Sequence, residues 1–328
     1  ASRPDYPKQF LSINDGISFL QNAIIRSLAL KPTGKIIIAT RDGLQNEIAN
    51  QCNMLAEKVS KADAIKIKND VLILAEPVAK HTTAPVILSC HLLNILDSKS
   101  NHSILVLTSD HIIEPVEKFV ADAEKAYSTA IKNHFVCFGI KPNEPSTGYG
   151  YIQIDEQQND RIYKVKTFIE KPEEELAKML IESGEFYWNS GIFLWNVNTI
   201  MKVFNDVMPE IPQRIKQGEE GFASCPNISI DLGILEKVNN VHVQICDIGW
   251  ADIGTWAALH EVVPKDEHQN VSLHGNNLLY NCRNNMITAP NGKLVVLQDL
   301  DNYLIADTDN VLLICKKDDA NAIRKYVN

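Results

Sequence analysis

The stretch ILVLTSDH, residues 104–111, decides the fold. Its apolar half is a continuous run rather than an alternation, as in a strand buried on both faces of a sheet. The run then breaks into Thr108, Ser109, Asp110 and His111. In an open α/β sheet the ligand crevice lies beyond the carboxyl ends of the strands, so these polar residues fall on its rim. The same texture repeats on either side. KIIIAT (35–40), VLILAEP (71–77) and HFVCFGI (134–140) read as further buried strands. Between them, helices are expected over 42–57, 83–97 and 115–131, after a first helix marked by Ile17, Leu20, Ile24 and Leu28. Apolar strands alternating with helices predict an α/β class, with a doubly wound, mostly parallel sheet.

Bulk properties narrow the function. The 328 residues are 45% hydrophobic and 22% charged, a globular composition, and the net charge is −9. An acidic chain without a basic stripe argues against a nucleic-acid partner. No apolar run approaches bilayer length, so no membrane partner is expected. The seven cysteines are odd in number and none pair at CxxC spacing, which predicts reduced, buried thiols and a cytoplasmic chain.

From about residue 142 the texture changes. Turn residues cluster in KPNEPSTGYGY (141–151), a strand is expected over 162–169, and TFIEKP (167–172) ends it. Proline stops the strand and is expected to hold Lys171 extended. A helix over 173–183 leads into YWNSGIFLW (187–195). Beyond Asp266, short strands broken by Gly, Asn and Pro predict a separate small all-β module, β-helix-like, with a last helix over 319–327. The domains expected are therefore 1–265 and 266–328.

Several side chains suit the chemistry of an anionic sugar ligand. Asp110 ends a strand and Asp252 lies in the turn DIGWADIGTW (247–256). Two such carboxylates can share a magnesium ion, which takes few protein ligands plus phosphate oxygens. Alone, each would serve equally well as a turn cap. Lys8, constrained after Pro7, and Lys171 supply point charges for phosphate. Glu170 can accept from sugar hydroxyls, and Asn189 offers the donor and acceptor that a vicinal diol requires. Strict alternation would send Glu170 and Lys171 to opposite faces. Either the strand kinks at the proline corner, or only one of the two meets the ligand. Trp188, Trp195, Trp250 and Trp256 read as core more readily than as stacking platforms.

In order along the chain, SRPDYPKQFL, EPVAKHTTAP, LVLTSDH, STGYGYI, FIEKP, YWNSGIF, SIDLGILEK and GWADIGTW resemble the bacterial mannose-1-phosphate guanylyltransferases of the sugar-nucleotidyltransferase superfamily. The resemblance implies a nucleotidyltransferase-like Rossmann variant that joins GTP and mannose 1-phosphate into GDP-mannose with release of pyrophosphate. It implies Lys8 on nucleotide phosphates and Asp110 and Asp252 on Mg2+. It places Gly148, Glu170 and Asn189 on the mannosyl group, Lys171 on the sugar phosphate, and Glu76, Thr83, Ala84 and Pro85 on the nucleoside. Ser109, Tyr149 and Gly191, inside matched motifs, complete the expected substrate-binding set. Lys8, Asp110, Lys171 and Asp252 form the expected catalytic set, and a homodimer is the candidate assembly.

The chain also departs from that family. A first strand and Gly-rich loop would precede SRPDYPKQF, whereas the chain begins at Ala1. The expectation is a native N-terminal segment before it, without which the neighbouring strands expose apolar surface and unpaired backbone. KHTTAP stands where the family usually has an arginine and an asparagine, and WADIG has alanine where serine is common. Family members often carry a further isomerase domain of cupin type. This chain stops at Asn328, which predicts a monofunctional protein. Two alternatives accompany the guanylyltransferase reading: a non-catalytic sugar-nucleotide-binding relative, and a nucleotidyltransferase for another hexose 1-phosphate.

Overall fold

Strand direction is where the structure departs most from the sequence reading. The computed structural model describes residues 7–14, 16–97, 101–254, 256–273, 276–290, 292–307 and 311–319. The described residues fall into two compact units. One draws on Ala1–Ala23, Ser109–Ile112 and Ala251–Asn328, the other on Ile24–Thr108 and Ile113–Trp250.

The second unit carries a six-stranded sheet in the order Ser103–Val106, Phe186–Asn196, Phe135–Ile140, Val241–Cys246, Ile162–Ile169, Tyr151–Asn159. Phe135–Ile140 and Val241–Cys246 run parallel, and every other neighbouring pair in this sheet is antiparallel. The expected mostly parallel sheet is thus corrected to a mixed one. Burial on both faces produces the same continuous apolar run whichever way a strand points, so composition could not report direction. A separate parallel pair joins Ile36–Arg41 to Val71–Glu76, from Ile36 opposite Val71 to Arg41 opposite Glu76. Among the described residues Ile36–Arg41 has no second partner strand, and Ser103–Val106 pairs there only with Phe186–Asn196. Their apolar side chains Ile36, Ile37, Ile104 and Leu105 are only half-buried.

Alternation along Phe135–Ile140 sorts the core onto two faces. Phe135 and Cys137 pack with Trp195, Val243 and the helices Thr83–Leu96 and Val197–Val207. Val136 and Phe138 pack with Ile192, Leu194 and the helix Val116–Ala130, through Phe119, Ala123 and Ala126. Each large side chain buried there contributes about 1.5–3 kcal/mol. The strand at 104 is shorter than expected: it ends at Val106, and Asp110 lies in the loop before His111–Ile112. A helix over Lys61–Asp70 was not legible, because only Ile67 in it is buried and no apolar stripe forms. Its N-cap Ser60 accepts from Asp63 N–H instead.

In the first unit, short strands pair in parallel, Val271–Ser272 with Met286–Thr288 with Tyr303–Asp307, and Asn276–Tyr280 with Leu294–Gln298. Asparagines stitch them together. Asn270 Nδ2 donates to Asp266 Oδ2 and to Cys282 O, Asn285 Nδ2 donates to Asn270 Oδ1 and Leu300 O, and Asn285 Oδ1 accepts from Tyr303 N–H. The expected last helix lies outside the described residues except at Asp319, which ends a 3-10 turn, Lys317–Asp319. All seven cysteines are free, six of them buried, and burial pushes the Cys90 thiol up to about 12. No described helix is long and apolar enough to cross a membrane.

Asn285 is fully buried, and its side chain makes bonds to Asn270, Leu300 and Tyr303. Asn285→Ala strands those partners, and a loss of about 3 kcal/mol in urea unfolding is expected. A loss below about 0.5 kcal/mol would show that the ladder is incidental.

Candidate functional site

Two clusters gather most of the expected site residues, one in each unit. In the first unit, His111–Ile112 and Ala251–Asp252 pair antiparallel with Asp252 opposite His111. That two-residue ladder brings together carboxylates remote in sequence. Lys8 stands at the head of a 3-10 turn, Lys8–Phe10, anchored by buried Phe10. Its Nζ donates to Asp110 Oδ2 at 3.1 Å, lies 3.5 Å from Asp252 Oδ1, and sits over the Phe19 ring at 5.4 Å. His111 Nε2 is 3.7 Å from Asp252 Oδ1 and 4.0 Å from Asp110 Oδ1. Two partly exposed carboxylates therefore share one ammonium. Among the described residues no three acidic, Cys or His side chains form a metal cage. The donor set is two carboxylates, which suits a hard cation that keeps waters and phosphate oxygens as its other ligands.

The second cluster follows from strand register. Tyr151 is opposite Ile169 on one side and Trp188 on the other. The residues next to these three, Gly150, Glu170 and Asn189, therefore converge. Asn189 N–H donates to Gly150 O at 2.8 Å. A Cβ on Gly150 would lie 2.6 Å from Glu170 Oε2 and 3.5 Å from Asn189 Cβ, so a larger residue there would push the Glu170 carboxylate aside. Gly148 is different: it is exposed, and a Cβ there would meet only Ser146 Oγ, at 3.6 Å. Tyr149 packs edge-on against Trp188 and Trp250, at 5.0 and 5.2 Å between ring centroids. Trp188 and Trp195 are buried, Trp195 completely.

Lys171 is not extended, as its place before proline led one to expect, but left-handed, with φ 44°. The chain turns there, and Lys171 Nζ donates to Glu170 Oε1 at 2.8 Å. The kink thus puts both side chains together rather than on opposite faces. That hydrogen bond raises the Lys171 pKa. The Phe186–Asn196 strand shifts register between Asn189 and Phe193, with Gly191 at φ 72°. Asn189 Oδ1 accepts from Gly191 N–H at 3.1 Å, and Asn189 Nδ2 donates to Asp231 Oδ1 at 2.7 Å. Burial raises the pKa of Asp231 and of nearby Glu236.

The remaining expected residues lie elsewhere. Ser109 precedes Asp110 in the first unit. Glu76 is buried at the end of Val71–Glu76, where its carboxylate accepts from Lys80 N–H at 3.2 Å and burial raises its pKa. Thr83 and Ala84 are fully buried in the first turn of Thr83–Leu96, with Pro85 half-buried beside them. Of the two glycines in TGYG (147–150), sequence reasoning assigned Gly148 rather than Gly150 to the site, and it gave Asp231 no role. Asp231 had a signal, a carboxylate inside the apolar run SIDLGIL.

The nucleotidyl transferase family model matches residues 2–269. A mannose-1-phosphate guanylyltransferase of Salmonella muenchen is 31% identical, the match covering 100% of this chain and 69% of the relative. The alginate biosynthesis protein AlgA of Pseudomonas syringae pv. tomato is 30% identical, over 99% of this chain and 68% of its own length. The chain belongs to the mannose-1-phosphate guanylyltransferase family of nucleotidyl transferases. A crystal structure described as mannose-1-phosphate geranyltransferase from Thermus thermophilus superposes with a TM-score of 0.83 at 27% identity, covering 99% of this chain and 93% of that one. The nucleotidyltransferase fold, with mixed α/β content and a β-rich C-terminal region, follows from these matches.

The left-handed φ of Lys171 costs an ordinary side chain about 1 kcal/mol that glycine does not incur. Lys171→Gly is expected to raise stability in urea unfolding by about 0.5–1 kcal/mol, although it removes an ion pair. A destabilised variant would mean that the corner holds no such strain.

Proposed function

We propose that this enzyme transfers GMP from GTP to mannose 1-phosphate, giving GDP-mannose and pyrophosphate. The observation that carries the reading is the convergence of Gly150, Glu170, Lys171 and Asn189, a hydroxyl reader, a phosphate cation and an amide around a glycine that admits close approach. Family membership supplies the reaction class. A phosphate oxygen of mannose 1-phosphate attacks the α-phosphorus of GTP, the bond from that phosphorus to the bridging oxygen of the β-phosphate breaks, and pyrophosphate leaves. The attacking group is already an anion at neutral pH, so the protein needs to align the reactants and neutralise charge.

Roles follow from charge and donor type. Lys171 takes the sugar phosphate, and Glu170 and Asn189 take hydroxyls. Tyr149 and Trp188 support the Gly148–Gly150 turn, and Gly191 sets the bulge that aims Asn189. Lys8 takes nucleotide phosphate, and Asp110 and Asp252 hold Mg2+. When bound, that ion supplies positive charge to the phosphates. Ser109, Glu76 and the Thr83–Pro85 turn belong on this reading to the nucleotide side. Residues 1–265 are read as the nucleotidyltransferase domain. Residues 266–328 form a β-helix-like module, whose parallel strands joined by an asparagine ladder support that description. A cytoplasmic, homodimeric enzyme without a nucleic-acid or membrane partner completes the proposal.

Pyrophosphate release from GTP and mannose 1-phosphate, run beside glucose 1-phosphate and the other nucleoside triphosphates, tests the specificity. Fastest turnover is expected with the GTP–mannose pair. Asp110→Ala should lose at least about a hundredfold in kcat, on the scale of removing a charge-stabilising group. Unchanged release would overturn the metal assignment.

A further inference from the structure

The SIDLG turn holds a carboxylate that no step above uses. Asp231 stands in the short helical turn Ile230–Gly233, where Ser229 Oγ accepts from Leu232 N–H. That turn is fastened to the start of the Thr83–Leu96 helix: Thr82 Oγ1 accepts from Ile230 N–H at 2.9 Å, and Thr83 N–H donates to Ile228 O at 3.3 Å. From this fixed base Asp231 Oδ1 accepts from Asn189 Nδ2 at 2.7 Å. On its other side Asn189 Oδ1 accepts from Gly191 N–H at 3.1 Å. A carboxylate can only accept and a backbone N–H can only donate. The two contacts therefore decide which end of the Asn189 amide is which. One amide N–H is left over.

We infer that Asp231 is a positioning residue for the sugar subsite, holding the Asn189 amide so that its second N–H, and not its carbonyl, is presented to a hydroxyl oxygen of the sugar phosphate. This rests on the assignment of the Gly150–Glu170–Asn189 cluster to the sugar. Without Asp231 only the Gly191 N–H holds the amide, and turning it over presents the carbonyl, which a sugar hydroxyl meets with a different geometry. The charged groups facing Asp231 are Glu170, Lys171 and Glu236. Burial and the Glu170 charge raise its pKa, while the Asn189 hydrogen bond and Lys171 oppose the rise. A hydrogen bond to such a partly desolvated carboxylate is of the strong kind, and losing it costs about 10–100-fold in the equilibrium it controls.

The test is a double-mutant cycle of Asp231→Ala and Asn189→Ala, with Asp231→Asn as the conservative variant, which keeps an acceptor oxygen. Binding of mannose 1-phosphate is read by quenching of tryptophan fluorescence, and KM is measured separately for the sugar phosphate and for GTP. Asp231→Ala is expected to weaken mannose 1-phosphate by about 10–100-fold and leave the KM for GTP within about threefold. Asp231→Asn should recover most of the loss, and the double variant should bind no worse than Asn189→Ala alone, because the two residues act as one unit. If Asp231→Ala does not fold, Asp231→Ser, too short to reach Asn189, is read in the same way. Equal losses for both substrates, or additive losses in the cycle, would overturn the inference. A wild-type chain that prefers another hexose 1-phosphate changes only the sugar named above, and the cycle run on that ester still decides the role of Asp231. A chain that binds no hexose phosphate overturns both.

Discussion

The hydrogen bond from Asn189 N–H to Gly150 O, at 2.8 Å, is the constraint on which the proposed sugar cradle depends. It continues the pairing of Tyr151 with Trp188 by one step past the end of a regular strand. Because it draws two backbones together where Glu170 also arrives, the side-chain space at position 150 is already taken, within 2.6 Å of a Cβ, by the Glu170 carboxylate. Each following feature accommodates that convergence. Lys171 adopts a left-handed turn that folds its ammonium back on Glu170. Gly191, at φ 72°, lies in the register shift that directly follows Asn189. Asp231, anchored through Thr82, then fixes the amide.

The first unit solves a different electrostatic problem. Two carboxylates brought side by side repel each other, and the ladder between His111–Ile112 and Ala251–Asp252 holds Asp110 and Asp252 near one another regardless. Lys8 lies between them and offsets the repulsion. Its ammonium carries one positive charge against two negative ones, so the cluster keeps an appetite for further cationic charge. Partial exposure of all three side chains leaves the contribution to stability small.

How much of this was legible in the sequence depends on whether the signal was local. The strands around Phe135–Ile140 and Ile162–Ile169 and the helices Thr83–Leu96 and Val116–Ala130 stood out, because runs and periods report burial directly. Strand direction did not, since burial is blind to it. The Lys61–Asp70 helix went unseen because it buries little beyond Ile67. At the site, the EKP corner raised the question of kink or alternation, and φ 44° at Lys171 answers it. Choosing between the two glycines of TGYG needed the register of two other strands, which no local pattern contains. The carboxylate inside SIDLGIL marked Asp231 as unusual, but its partner Asn189, remote in sequence, could not be read from it.

The central claim is that the cradle is built around Gly150. It is tested most directly by comparing Gly150→Ala with Gly148→Ala for binding of mannose 1-phosphate. The added methyl at 150 must displace Glu170, whereas at 148 it meets an ordinary contact. Loss of at least about tenfold in sugar-phosphate affinity for Gly150→Ala, with Gly148→Ala within about threefold of wild type, is the predicted result. The reverse order, or two equal losses, would contradict the account.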